Sequence, residues 1–273
     1  MKKRRSKIPS KPLIGLISLF LILFFAVVLL KVLARNSNFF RVKEIIIRDE
    51  VVQTDKKIDL SYFKGSNIFT FNLGREEDYL TRRFPGYQKI KLVKIFPDKI
   101  FADFIKRKPV ACVKLYRYFY LDSDMVLYGV PSEADLLGLP VIFGLETKLF
   151  GPKQGIKYNI KEIAIAFEII KSVRFNKALK DLQIKKINVA DGTNTSFFMA
   201  LPAKPPSNTK LKHEVKVVNE ELEIKIGQDY ITDKINILSC LLAEEKNDWD
   251  NIKYIDLRFK DPVIKFKNTK DKC

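Results

Sequence analysis

The chain has 273 residues, 47% of them hydrophobic and 30% charged, with 50 Lys and Arg against 32 Asp and Glu and a net charge of +18. That length and apolar share exclude a disordered chain and leave room for one large domain or two modest ones with real cores. Three cysteines, Cys112, Cys240 and Cys273, are too few and too scattered for a disulfide framework or a metal site. Cys112 falls in an apolar strand and Cys240 on an apolar helix face, so both are expected as buried free thiols, with a bridge between them left open.

At the N-terminus a basic cluster, Lys2, Lys3, Arg4, Arg5, Lys7 and Lys11, runs into an uncharged apolar stretch from Leu13 to Leu30. As a helix those ~18 residues reach about 27 Å, close to a hydrocarbon core of ~30 Å. Val32, Leu33 and Ala34 extend the span, because the Lys31 ammonium can snorkel to the interface. Residues 13–34 are therefore expected to be a transmembrane helix flanked by Arg4, Arg5 and Lys11 on one side and by Lys31 and Arg35 on the other. The positive-inside bias places residues 1–12 in the cytoplasm and the bulk of the chain outside it. Val32-Leu33-Ala34 before Arg35 offers a weak cleavage pattern, but the apolar run exceeds the ~7–15 residues usual in a signal peptide. The first 35 residues hold eight Lys and Arg and no acid, so a charge of about +10 is spread over the rest. Such a surface outside the cytoplasm argues against nucleic acid as a partner and leaves anionic lipid or wall polymer as secondary ones.

After the anchor, residues 39–47 read as a strand, being rich in β-branched and aromatic side chains. A short helix follows, capped by Thr54 or Asp55 and stopped by Gly65, and a second runs from about Arg75 to Phe84. Residues 89–96 and 100–106 form two strands around Pro97-Asp98. Ile90 and Leu92 change face relative to Val93 and Ile95, so the registers stay open. The order is strand, helix, helix, strand, strand. Further strands are expected at 110–115, 118–121, 125–128, 184–189, 196–201 and 221–226, with helices at 160–179 and 230–244. Residues 202–209, with three prolines, read as an exposed hairpin loop. Lys253–Phe259 and Val263–Phe266 close the chain as a strand pair around Asp261-Pro262. The fold class is α+β.

Nothing in this order carries catalysis. His213 has no companion that would make it a metal ligand, there is no phosphate-cradling, dinucleotide-binding or nucleophile-elbow pattern, and no cofactor is expected. What remains is recognition. Tyr254-Ile255-Asp256-Leu257-Arg258-Phe259 alternates well, and Val263-Ile264-Lys265-Phe266 is short and apolar near the chain end. Aromatic residues with an arginine on such an edge have the composition of a binding hot spot for an added strand.

The residues resemble the FtsQ/DivIB family of bacterial cell-division proteins over nearly the whole chain. Phe39-Phe40-Arg41-Val42 with Ile45 and Ile47 is similar to that family's first strand, and Gly65-Ser66-Asn67-Ile68-Phe69 to its turn after the first helix. Phe96-Pro97 and then Arg107-Lys108-Pro109-Val110-Ala111 resemble the strand pair and the junction that follows it. Tyr120-Leu121-Asp122, Leu139-Pro140-Val141-Ile142-Phe143-Gly144, Ile224-Lys225-Ile226-Gly227 and Tyr254-Ile255-Asp256-Leu257-Arg258-Phe259 match later motifs in order. The chain departs from the pattern at Lys106, where the family has Glu, at Asp124-Met125, where it has Gly, and in a turn one residue shorter before the last strand.

The resemblance implies a cytoplasmic tail (1–12), an anchor (13–34), a small POTRA domain of β-α-α-β-β order (39–108), a larger, mostly antiparallel β domain with two flanking helices (109–268) and a tail (269–273). It implies a non-enzymatic divisome scaffold in the cell inner membrane at the septum. Its partners would be FtsB-like and FtsL-like (DivIC-type) coiled-coil proteins and other septal membrane proteins. Arg258, Phe259 and Phe266 match partner-binding positions of the family, with Tyr254 and Ile264 on the same strand pair, and Arg107 and Pro109 mark the junction between the domains. The competing reading is a POTRA-containing envelope transport or assembly factor, which predicts a C-terminal barrel or tandem small domains.

Overall fold

A computed structural model describes residues 10–49, 58–200, 221–244 and 249–267. The chain divides into two units, Met1–Lys106 and Arg107–Cys273. In the first, α1 (Ser10–Asn36) is 27 residues long, about 40 Å at ~1.5 Å per residue. Its segment Gly15–Asn36 contains an 18-residue stretch with a mean hydropathy of 3.0, none of which is buried by the protein, so by length and composition it can cross a membrane. Ser37 Oγ accepts from Phe39 N at 3.2 Å and starts a single tight turn, Asn38–Phe40.

That turn displaces the first strand from where residue preference alone places it. Val42 exchanges backbone hydrogen bonds with the Gly65-Ser66 loop at 2.8 and 3.0 Å, and β1 begins only at Glu44, running to Asp49. Next comes α2 (Leu73–Arg83), capped by Asn72 Oδ1 accepting from Arg75 N at 3.3 Å. Strands β2 (Tyr87–Ile95) and β3 (Lys99–Lys106) complete a sheet of order β1-β3-β2, with β1 parallel and β2 antiparallel to β3. Ile90, Leu92, Ile100, Ala102 and Phe104 point into the core, while Val93 and Ile95 are exposed, which assigns the faces that the alternation left open. Leu60, Phe63, Ile68, Leu80 and Tyr87 fill the rest. The first of the two expected helices, from a cap at Thr54 or Asp55 to Gly65, begins outside the described residues, and over 58–64 it is corrected: Ile58 and Tyr62 do not share a helix face, because this stretch holds only a single tight turn, Ser61–Phe63, before Gly65 at φ +80°.

The second unit carries β4 (Pro109–Lys114), β5 (Tyr118–Asp122), β6 (Leu127–Tyr128), α3 (Glu133–Gly138), β7 (Val141–Phe143), α4 (Lys161–Phe175), β8 (Ile184–Asn188), β9 (Ser196–Ala200), β10 (Glu221–Lys225), α5 (Ile231–Glu244), β11 (Ile252–Asp256) and β12 (Val263–Phe266). They build one nine-stranded sheet of order β12-β11-β10-β9-β8-β7-β4-β5-β6. It is antiparallel except at β4–β7, β7–β8 and β10–β11. The three parallel pairs arise where α3, α4 and α5 serve as crossovers, which a parallel neighbour requires.

α4 and α5 lay Ile163, Ala166, Ile170, Val173, Ile231, Ile235, Leu238 and Leu242 onto that sheet, against Ile142, Ile187, Phe197, Ile224 and Ile255. Side-chain bonds tie their exposed flanks, Ser172 Oγ to Thr232 Oγ1 and Asn176 Nδ2 to Asn236 Oδ1, both at 3.2 Å. α4 stops at Phe175, short of the expected Leu179, because Asn176 leaves the helical region and its Oδ1 accepts from Ala178 N at 3.0 Å. α3 was not expected. Its signal was Ser132, whose Oγ accepts from Asp135 N while the Asp135 carboxylate accepts from Ser132 N.

Two thiols behave differently. Both are free; Cys112 is buried in β4, but Cys240 is exposed on α5, on the solvent side of a helix whose buried positions are Ile231, Ile235, Leu238 and Leu242. The expectation of a buried Cys240 is therefore corrected: apolar neighbours in sequence are not neighbours on one helix face. Burial pushes the Cys112 thiol up to about 11. Met125, in the Asp124-Met125 stretch that departs from the resembled pattern, adopts φ +63° in the turn after β5.

Candidate functional site

β12 ends the nine-stranded sheet. It pairs antiparallel with β11, Ile255 opposite Ile264 and Asp256 opposite Val263, and among the described residues no strand covers its other edge. A four-residue strand in that position presents unpaired backbone groups beside apolar side chains. Val263 is 48% and Phe266 47% exposed, Ile264 leans against the core from the edge, and Lys265 is exposed. Phe266 lies opposite the buried Ile252, so it extends the core surface outward past the last strand. Tyr254 is half-buried on β11, with Lys225 Nζ 4.2 Å from its ring centre.

Tyr254, Ile264 and Phe266 lie on this strand pair, but Tyr254 pairs with Lys265 and so faces away from Ile264 and Phe266, while β11 stops at Asp256 and leaves Arg258 and Phe259 in the bend beyond it. Leu257 N still reaches Lys225 O at 2.7 Å. The chain then turns because Asp256 Oδ1 accepts from Arg258 N at 3.1 Å, closing a side-chain turn that competes with the ladder. Arg258 also holds Asp256 with both arms of its fork, Nε to Oδ1 at 2.9 Å and Nη2 to Oδ2 at 2.6 Å. Its Nη1 donates to Asn194 Oδ1, and Asn194 is held in turn by donating Nδ2 to Asp191 Oδ2 at 2.6 Å. The hydrogen bonds from Arg258 hold the Asp256 carboxyl below the ordinary carboxylate range. Phe259, 63% exposed, stands under this guanidinium with 5.7 Å between Cζ and the ring centre. Sequence reasoning missed Asp256 and Asn194; the i, i+2 spacing of Asp256 and Arg258 on one strand face was the available signal for the first.

At the start of the larger unit, Arg107 Nη1 meets Asp122 Oδ2 in a pair whose side chains are 9% and 4% exposed. Asp122 Oδ1 also accepts from Asp124 N and Val126 N, each at 2.9 Å. Pro109 opens β4 opposite Asp122. Of the expected membrane-flanking residues, Arg4 and Arg5 lie outside the described residues, Lys11 falls within α1, and Lys31 and Arg35 are exposed on its last turns. Among the described residues no group of three or more His, Cys, Asp or Glu is placed to hold a metal ion; His213 and the 202–209 loop lie outside them.

No protein-family model matches the chain. It is similar to the cell division protein FtsQ of Geotalea daltonii, 21% identical over 232 residues that cover 84% of this chain and 76% of that protein. FtsQ of Syntrophotalea carbinolica is 22% identical over 222 residues, 81% of this chain and 71% of its own length. FtsQ of Neisseria meningitidis serogroup B is 29% identical over 115 residues, 41% of this chain and 46% of its own length. The likeness to FtsQ-type proteins expected from the motifs is thus found in relatives aligned over most of the chain.

Proposed function

We propose that this protein is a single-pass, non-catalytic cell-division scaffold whose last strand recruits partners by strand addition. The observation that carries the proposal is β12: a short terminal strand with an uncovered edge, flanked by the exposed rings of Phe259 and Phe266. A partner strand laid there would satisfy β12's outer backbone groups and cover those rings, giving main-chain affinity and side-chain specificity together. The partner class proposed, FtsB-like and FtsL-like (DivIC-type) coiled-coil division proteins, is the one implied by the resemblance of the sequence motifs to the FtsQ/DivIB family; the relatives' names support cell division. In this reading Arg258 is chiefly a positioning residue. Its fork is engaged by Asp256, and each terminal nitrogen carries a second N–H toward a partner carboxylate.

On the same reading, α1 anchors the protein in the inner membrane at the septum with the basic N-terminus cytoplasmic, and residues 39–108 form a POTRA-type domain. Residues 109–268 form the partner-binding β domain. The test is binding of the full chain, in micelles, to the extracytoplasmic segments of the same organism's small coiled-coil division proteins, measured by pulldown and calorimetry. Phe259→Asp and Phe266→Asp are each expected to weaken binding at least about tenfold, as loss of an aromatic anchor does. Wild-type affinity in both variants would remove β12 as the binding edge.

A further inference from the structure

We infer that the small unit docks on the bilayer itself, through a row of aromatic rings level with the last turns of α1; the inference rests on α1 spanning the membrane. Asn67 makes the connection. Its Nδ2 donates to Ala34 O at 2.9 Å and to Arg35 O at 2.8 Å, carbonyls that the end of α1 leaves without helical partners. Its Oδ1 accepts from Phe69 N at 2.9 Å. One side chain thereby ties the helix end to the loop that carries Phe69. The Phe69 ring consequently closes a groove against Val27, Leu30 and Ala34, flanked by Lys31 and Arg35. Lys31 is about 7 Å down the axis from Asn36 at ~1.5 Å per residue, which sets Phe69 at the depth of the headgroup and acyl boundary.

From Phe69 the rings continue outward. Phe40 lies 5.1 Å from Phe69 and 5.1 Å from Phe39, and Phe96 lies 5.4 Å from Phe69, measured between ring centres. In a water-facing domain such a row is costly, yet Phe39 is 61%, Phe69 39% and Phe96 57% exposed. The charges around it match an anionic surface. Arg41 is exposed, its backbone forming a β-bridge with Asn67, while the nearby carboxylates are paired with cations, Asp98 with Lys43 at 2.9 Å and Glu44 with Lys99 at 2.6 Å. Aromatic rings at headgroup depth with cations beside them are the composition of a membrane interface. A helix of a partner protein would fill the groove but would leave Phe39 and Phe96 in water, so lipid is the occupant that accounts for the whole row.

The test places benzoylphenylalanine, one position at a time, at Phe69, Phe96, Leu23 and Tyr79 in the full chain reconstituted in phosphatidylcholine vesicles, with and without about 30 mol % phosphatidylglycerol. Leu23 reports the span, and Tyr79, exposed on α2 outside the aromatic row, reports background. Lipid adducts at Phe69 and Phe96 are expected at least about fivefold above Tyr79, with a further rise in the anionic vesicles. Yields equal to Tyr79 while Leu23 labels lipid would overturn the docking and leave the membrane span standing. Loss of the Leu23 adduct as well would overturn the span itself. Protein adducts at Phe69 in place of lipid would assign the groove to a neighbouring helix and overturn the inference.

Discussion

Asp122 holds the buried Arg107 with one oxygen and the turn amides of Asp124 and Val126 with the other. Asp122→Ala removes both, and an unfolding titration of the larger unit is expected to show a loss of about 3–5 kcal/mol, as for breaking one side of a buried pair. Asp122→Asn keeps a turn acceptor and should lose less. The Asp256–Arg258 pair makes a pH prediction with a definite sign. Asp256 sits below the ordinary value of 3.8 because Arg258 hydrogen-bonds its charged form, so its contribution to stability is present above about pH 4 and lost as the pH falls through the lowered value. Arg258→Gln should raise the Asp256 midpoint toward 3.8 in a carboxyl-resolved NMR titration and shift acid unfolding to higher pH. An unmoved midpoint would mean that the fork is not formed in solution. Asp122 was legible in its motif; its partner Arg107 was visible only as a residue at a junction, because a pairing across 15 positions is set by how β4 and β5 align.

Among the elements, those with clear periodicity were placed within a few residues of where they occur. α5 is an example, since it buries one face and so writes it into the sequence. Short elements that are buried all round or specified by a cap were not. β7 has three residues and α3 six, too few to show a period. Gly144, which follows β7, illustrates what decides such a place. It has φ +88°, and a Cβ there would lie 2.4 Å from Ala190 N, against the backbone that leads out of β8. Gly144→Ala is expected to destabilise the larger unit by about 2–4 kcal/mol, combining left-handed strain with backbone collision. Each unit has its own buried cluster, so thermal or denaturant unfolding of the full chain should resolve two transitions, only the later-numbered unit's being shifted by this change.

At the scale of the whole molecule, the sequence by itself determined an N-terminal helix long and apolar enough to cross a membrane, the α+β class and the likeness to FtsQ-type division proteins. These depend on composition and on local periodicity, which neighbouring residues carry. Tertiary structure alone decided which strand stands at the open edge of the sheet, that Arg258 is folded back onto Asp256, and that Asn67 joins α1 to the loop bearing Phe69. The physical reason is common to all three. Each depends on which distant segments meet, and a strand edge or a helix end gives its free backbone groups no mark in the residues that own them.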